Sequence, residues 1–355
     1  MPLYLNRRRF FLNVLLVLAS LIPASCMQKG KQEQIAPSGT EAETVHKGPL
    51  KKITVYPYWV TSGQFAGFYV GKEKGIFKKH GIDLNILEYK PFISTNDIIK
   101  QGQADFAILW LVNAIQMRCS GINIVNIAQF STRSSLMLLA KKSSGIKTIS
   151  DLNGKRAGIW EGFELQPKTL FAKYNLNTQI IRIGSTNNLF LQGGVEVTNA
   201  NWFDEYHAIL NSGYDENELV PFFFADYGLN FLEDGVYCLE DKIKADPAVC
   251  AEFVKATVEA WLYVFNNPDE SLEIILKNQR QQKLPANRSH QKWMIGRYKD
   301  LYLPAGKTTF NIMLSETDYI SNARMLLQNK QIDAIPAYKH FFRPYNSLLH
   351  NATEK

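Results

Sequence analysis

The chain has 355 residues, 46% of them hydrophobic, and a formal charge of +7. That length and composition support a full globular core, about two domains' worth of chain. The basic residues are scattered apart from Arg7, Arg8 and Arg9, and no basic run with interleaved aromatics follows, so nucleic acid is not an expected partner. The four cysteines form no Cys-x-x-Cys pair, and the six histidines do not gather beside them. Neither a disulfide scaffold nor a metal site is expected, and Cys119, Cys238 and Cys250 are expected to be buried and reduced.

The first 25 residues read as a secretory signal peptide. Three arginines precede an apolar run from Phe10 to Ile22, and Pro23, Ala24 and Ser25 lead to Cys26. The run is shorter than the roughly 20 residues that span a bilayer. Cys26 stands where a lipoprotein signal places its acylated cysteine, although Pro23 departs from the usual Leu or Val. Residues 26–49 are rich in Lys, Gln, Glu, Ser, Thr and Gly, the composition of a disordered tether. The expected location is outside the cytoplasm, with a lipid anchor at Cys26 as the membrane partner.

From Leu50 the pattern alternates. Strands are predicted over 53–56, 82–87, 106–109, 124–128 and 136–140, with helices over 64–79, 96–101 and 112–120 between them. The pattern then restarts, with a short helix over 149–154, strands over 156–160, 180–183 and 195–200, and helices over 168–174 and 205–210. Beyond Val236 the chain reads mostly helical, with Asp246-Pro247 and Asn267-Pro268 as helix starts. Strands alternating with helices indicate α/β construction with parallel sheets. The expected division is 50–140 with 236–355 as one lobe and 141–235 as the other. Ligands of open α/β sheets bind beyond the carboxyl ends of the strands, so a cleft between the lobes is the expected site.

Several aromatic residues fall at those ends. Tyr58 and Trp59 follow the first strand, Trp110 the third, Trp160 ends the first strand of the restart, and Trp202 and Phe203 follow another. Such residues can sandwich a planar ring. Gln64, Asn113 and Arg133 are polar candidates, Arg133 as a clamp for an anionic group.

The stretch Trp59 … Gln64-Phe65-Ala66-Gly67-Phe68-Tyr69-Val70-Gly71-Lys72-Glu73-Lys74-Gly75-Ile76-Phe77 … Gly81-Ile82-Asp83-Leu84 resembles the opening of substrate-binding proteins for thiamine pyrimidine precursors. Matches follow in order at Gly102-Gln103-Ala104-Asp105-Phe106, Arg133-Ser134-Ser135-Leu136-Met137, Asp151-Leu152-Asn153-Gly154, Asp204-Glu205-Tyr206 and Glu233-Asp234-Gly235-Val236-Tyr237. The resemblance implies a two-lobed periplasmic-binding-protein type II fold, a small heterocyclic ligand and an ABC-transporter permease as partner. It implies a monomer without a cofactor, and Glu205 as a carboxylate that meets the pyrimidine. Tyr58 departs from the family, which places an Asp before the tryptophan.

The same family includes fungal enzymes that build the thiamine pyrimidine from a histidine and pyridoxal phosphate. Their reactive lysine and histidine are replaced here by Leu109 and Asn113. Without an amine no Schiff base forms, so an enzyme is not expected. A sensory ligand-binding module is the remaining alternative.

Overall fold

The computed structural model describes residues 34–35, 46, 48–91, 93–303 and 307–348. The expected signal peptide and Cys26 lie outside the described residues, as does most of the expected tether. Within that tether, strand β1 (Gln34–Ile35) pairs antiparallel with a short strand at Phe310–Asn311, which corrects a fully disordered reading there. No described helix is long and apolar enough to cross a membrane.

Ten further strands make two five-stranded sheets. In chain order they are β2 (Lys51–Pro57), β3 (Ile82–Ile86), β4 (Phe106–Leu109), β5 (Ile124–Gln129), β6 (Leu136–Lys141), β7 (Arg156–Trp160), β8 (Gln179–Ile183), β9 (Val197–Asn201), β10 (Leu219–Phe223) and β11 (Gly235–Leu239). The first sheet has the order β3-β2-β4-β11-β5 and the second β10-β6-β9-β7-β8. Strands β3, β2 and β4 are mutually parallel, as are β8, β7 and β9. Strands β11, β6 and β10 run antiparallel to their neighbours, so the sheets are mixed where wholly parallel ones were expected.

Both faces of each sheet are covered. In β4, Phe106 and Ile108 turn to one apolar cluster and Ala107 and Leu109 to another. In β6, Leu136, Leu138 and Ala140 join the cluster that holds Ala107 and Leu109, while Met137 and Leu139 face a third. This is the two-residue period of a strand buried on both sides. The division expected at residues 140 and 141 assigns β6 to the first lobe. Its ladder partners are β10 and β9, so the chain passes between sheets earlier, between Gln129 and Leu136. It returns between Phe223 and Gly235, after β10, a strand that sequence reading did not separate from the loop around it.

The C-terminal region is helical, as expected, and its longest helix, Pro247–Asn266, backs the first sheet. Asp246 accepts the Val249 N–H at 3.1 Å and Pro247 occupies the first turn, where its missing N–H costs nothing. The helix predicted over 64–79 is broken into Ala66–Glu73 and Ile76–Lys79 because Gly75 lies at φ 74°. The first of these packs closely on Pro247–Asn266. A Cβ at Gly67 would stand 2.6 Å from the Trp261 indole nitrogen, and one at Gly71 the same distance from the Phe77 ring. These glycines are there for close approach, not for flexibility. Cys238 and Cys250 are buried as expected; Cys119 is exposed at the end of helix Leu111–Cys119, which corrects the expectation for that residue.

Trp261 is almost fully buried and cannot retreat. Gly67→Ala should therefore destabilise the fold by about 1–3 kcal/mol. Urea denaturation of the variant against the parent checks this, and Gly296→Ala, where a Cβ meets nothing within 4 Å, serves as control.

Candidate functional site

The carboxyl ends of six parallel strands converge on one cavity of about 780 Å³. From the first sheet come Tyr58 and Trp59 after β2, Tyr89 beyond β3, and Trp110 after β4. From the second come Trp160 and Phe163 at the end of β7, Ser185 after β8, and Phe203, Asp204 and Glu205 after β9.

The first-sheet wall is fixed by a hydrogen-bond hub. The Tyr58 hydroxyl accepts from Trp110 Nε1 at 2.5 Å and from Gln64 Nε2 at 2.5 Å, and donates to Asp234 Oδ1 at 3.1 Å. Gln64 also approaches Asp234 Oδ1 at 3.3 Å, and Tyr298 donates to Asp234 Oδ2 at 2.6 Å. Every polar atom that Tyr58 and Trp110 present is therefore engaged within the protein, which leaves their rings as the surfaces offered to a ligand.

The aromatic faces are arranged in two groups. Trp59, 40% exposed, leans on Tyr89 with centroids 5.0 Å apart. Trp110 and Trp160 each meet Phe163 edge to face at 5.4 Å, so Phe163 links rings from the two sheets. Glu205 stands at the start of helix Glu205–Asn211, where its Oε2 accepts the Asn201 N–H at 2.9 Å. Burial in the wall, then the neighbouring Asp204 charge, hold its carboxyl well above the usual carboxylate range.

Of the ten ligand candidates, the cavity brings together Tyr58, Trp59, Gln64, Trp110, Asn113, Trp160, Phe203 and Glu205. Arg133 and Trp202 lie elsewhere. Arg133 is exposed, pairs with Asp226 at 2.7 Å and lies over the Phe223 ring. Trp202 precedes Phe203, so its side chain takes the other direction; it packs edge to face on Phe223 and under the Arg297 guanidinium. Sequence reading missed Tyr89, Phe163, Ser185 and Glu161. The strand-end rule that found Trp110 and Trp160 would have reached them, but none is a residue type that draws notice alone. It also missed the hub under the wall, because Glu233 and Asp234 carry no local signal of burial.

Glu233 and Asp234 are buried at the return crossover. Glu233 Oε1 accepts from Ser134 Oγ at 2.8 Å, the Ser135 N–H at 2.9 Å and Ser135 Oγ at 3.2 Å. Its main-chain carbonyl accepts from Gln129 Nε2 at 2.6 Å and from Ser131 Oγ. The returning segment is thus tied to the outgoing one. Burial pushes the Glu233 carboxyl up to about 8, with Asp234 adding to it. Burial raises Asp234 to about 6 against the opposing hydrogen bonds from Tyr298, Gln64 and Tyr58.

A carboxyl whose pKa is higher folded than unfolded binds protons more tightly in the folded state. Its contribution to stability is complete below the ordinary carboxylate range and is lost as pH rises through the folded value. The protein should therefore melt at a lower temperature at about pH 8 than at about pH 5. Glu233→Gln keeps the acceptor oxygen and cannot ionise, so it should flatten that dependence. Thermal melts of both proteins across the range check this, and an unchanged slope in the variant would refute the role given to Glu233.

Comparison with known proteins gives three kinds of relative. A riboflavin-binding protein, RibY of Chloroflexus aurantiacus, is 23% identical over 279 residues, 75% of this chain and 76% of that one. The formylaminopyrimidine-binding protein of Halalkalibacterium halodurans is 22% identical over 76% of this chain and 79% of its own. A 4-amino-5-hydroxymethyl-2-methylpyrimidine phosphate synthase of Saccharomyces cerevisiae is 22% identical over 61% of this chain and 68% of its own. Among solved structures, the periplasmic aliphatic sulphonate binding protein SsuA of Escherichia coli superposes with a TM-score of 0.63 at 15% identity, covering 81% of this chain and 95% of that one. The fold is thus that of a periplasmic solute-binding protein. Residues 62–271 match the family described as NMT1/THI5 like, and the chain belongs to that family.

Proposed function

We propose that this chain is an extracytoplasmic, lipid-anchored solute-binding protein that closes on a small planar heterocycle of the thiamine pyrimidine-precursor kind and delivers it to an ABC importer. The observation that carries this reading is the cavity, in which aromatic rings from two sheets face one space. Two sheets joined by a pair of crossovers suit a hinge, and a ligand touching both walls favours the closed state by its differential affinity. The two lobes of this reading are the two sheets with their helices, so β6 belongs to the second. Two relatives named as binding proteins over three quarters of the chain support it.

Catalysis of the synthase kind is disfavoured by the residues at the site. Leu109 and Asn113, which stand where the synthases carry lysine and histidine, both line the cavity. The cavity residues do not fit pyridoxal phosphate, because no lysine among them can form an imine. Purified protein given pyridoxal phosphate and iron should show no Schiff-base absorbance and release no pyrimidine; a single turnover would refute the binding-only reading.

Mass spectrometry of the small molecule released on denaturation identifies the natural ligand. Calorimetry with 4-amino-5-hydroxymethyl-2-methylpyrimidine, formylaminopyrimidine and riboflavin ranks the candidates, riboflavin because the cavity has room for more than one ring. Trp59→Ala should weaken binding of the preferred heterocycle by about 1–3 kcal/mol through lost stacking and burial. Unchanged affinity would place the binding site outside this cavity.

A further inference from the structure

Resting on the heterocycle-binding reading, we propose that the cavity selects its ligand by charge: it takes a planar ring that carries positive charge and rejects the phosphorylated or sulfonated form of the same ring. The chain has more Lys and Arg than Asp and Glu, 40 against 33, yet the cavity wall reverses the balance. Glu161, Asp204 and Glu205 line it, and no Lys, Arg or His does among the described residues. A fourth carboxylate, Asp234, lies one hydrogen bond behind the wall through Tyr58 and Gln64.

The basic side chains near the wall are occupied with other partners. His290 Nε2 lies 2.8 Å from Asp204 Oδ1, and Arg297, on the same helix Arg288–Tyr302, covers the rings of Trp202 and Trp293. Arg182 pairs with Glu164 at 2.8 Å. An anion in the cavity would therefore meet acidic side chains with no Lys, Arg or His among the lining residues to receive it. A cation meets the opposite situation. The rings of Trp59, Trp110 and Trp160 attract it through their π faces, and the carboxylates replace part of its lost hydration.

Glu205 gives the proposal a second readout. The positive charge of a cation beside it favours the ionised carboxylate, against the burial and the Asp204 charge that raise its pKa, so binding should drive its proton into solvent. The other charged and titratable groups around it are Asp204, Glu161 and His207 on its own side, and His290 and Arg297 on helix Arg288–Tyr302. Protonation of Glu205 at lower pH should weaken binding of the permanently charged ring.

The test is calorimetry of the full protein with three probes that share one ring: 4-amino-5-hydroxymethyl-2-methylpyrimidine, its N1-methyl pyrimidinium cation and its phosphate ester. Titrations run in two buffers of different ionisation heat count the protons released. The cation should bind about tenfold or more tighter than the neutral ring and release protons, and the ester should bind about tenfold or more weaker than the neutral ring. Glu205→Gln should reduce the cation's advantage about three- to tenfold. Because Glu205 also caps the Asn201 N–H, the exposed Glu161→Gln serves as a second variant with the same expected direction. If the ester binds as well as the neutral ring, or the cation gains nothing over it, charge selection is wrong and the heterocycle reading stands. If none of the three binds, the heterocycle reading falls and this proposal falls with it.

Discussion

The carboxylate of Asp234 is the point on which the first wall of the cleft depends. A buried carboxylate that lost its partners would leave an uncompensated group at a cost of several kcal/mol. Here Tyr58, Gln64 and Tyr298 converge on it from the loop after β2, the turn Gly63–Phe65 and helix Arg288–Tyr302. That convergence fixes the Tyr58 hydroxyl, which in turn fixes the Trp110 indole. Asp234 occupies a left-handed conformation at φ 50°, which Asp tolerates better than most residues. Gly235 follows, where a Cβ would come within 2.6 Å of the Asn126 and Gln129 side chains. The two residues together set the crossover turn, the hub and the start of β11.

Next to it, Glu233 does for the two crossovers what Asp234 does for the wall. Its carboxylate and carbonyl collect donors from Gln129, Ser131, Ser134 and Ser135, all in the outgoing segment. Asn230 adds a link, accepting the Ser134 N–H at 2.8 Å and donating to the Thr132 carbonyl at 3.1 Å. The two crossover segments are thus held side by side by side-chain hydrogen bonds, and on the proposed reading a hinge built from them would bend as one unit.

Much of this was legible in the sequence because it rests on short-range pattern. Strands β4 and β7 sit where the apolar runs put them, at Phe106–Leu109 and Arg156–Trp160. Trp110, just after β4, and Trp160, at the end of β7, reach the cavity because those strands end there. What the sequence hid was pairing. Nothing local in Gly235–Leu239 says that it inserts antiparallel between β4 and β5, and nothing in Leu136–Lys141 says which sheet it joins. Those choices are decided by contacts between residues far apart in the chain. Trp202 and Arg133 were misjudged for a related reason. Residue type and nearness to a strand end were right, but the direction of a side chain at a crossover depends on register.

The resemblance to a sulphonate-binding protein and the acidic wall of this cavity do not conflict. The ladders of both sheets are built from backbone hydrogen bonds, so the residues beyond the strand ends outside the Asp234 hub carry little of the folding load. Those positions can change charge and size without altering the ladders beneath them. On the proposed reading the scaffold sets where a ligand would sit, at the meeting of six strand ends, and the side chains at Glu161, Asp204 and Glu205 would set which ligand that is; the fold alone is silent on them. The wall that is costly to change is the one tied to Asp234, and its polar atoms face inward. On the opposite wall, Glu205 is held by the backbone N–H groups of Asn201 and of Glu205 itself and by the Asn201 side chain, a purely local set of contacts.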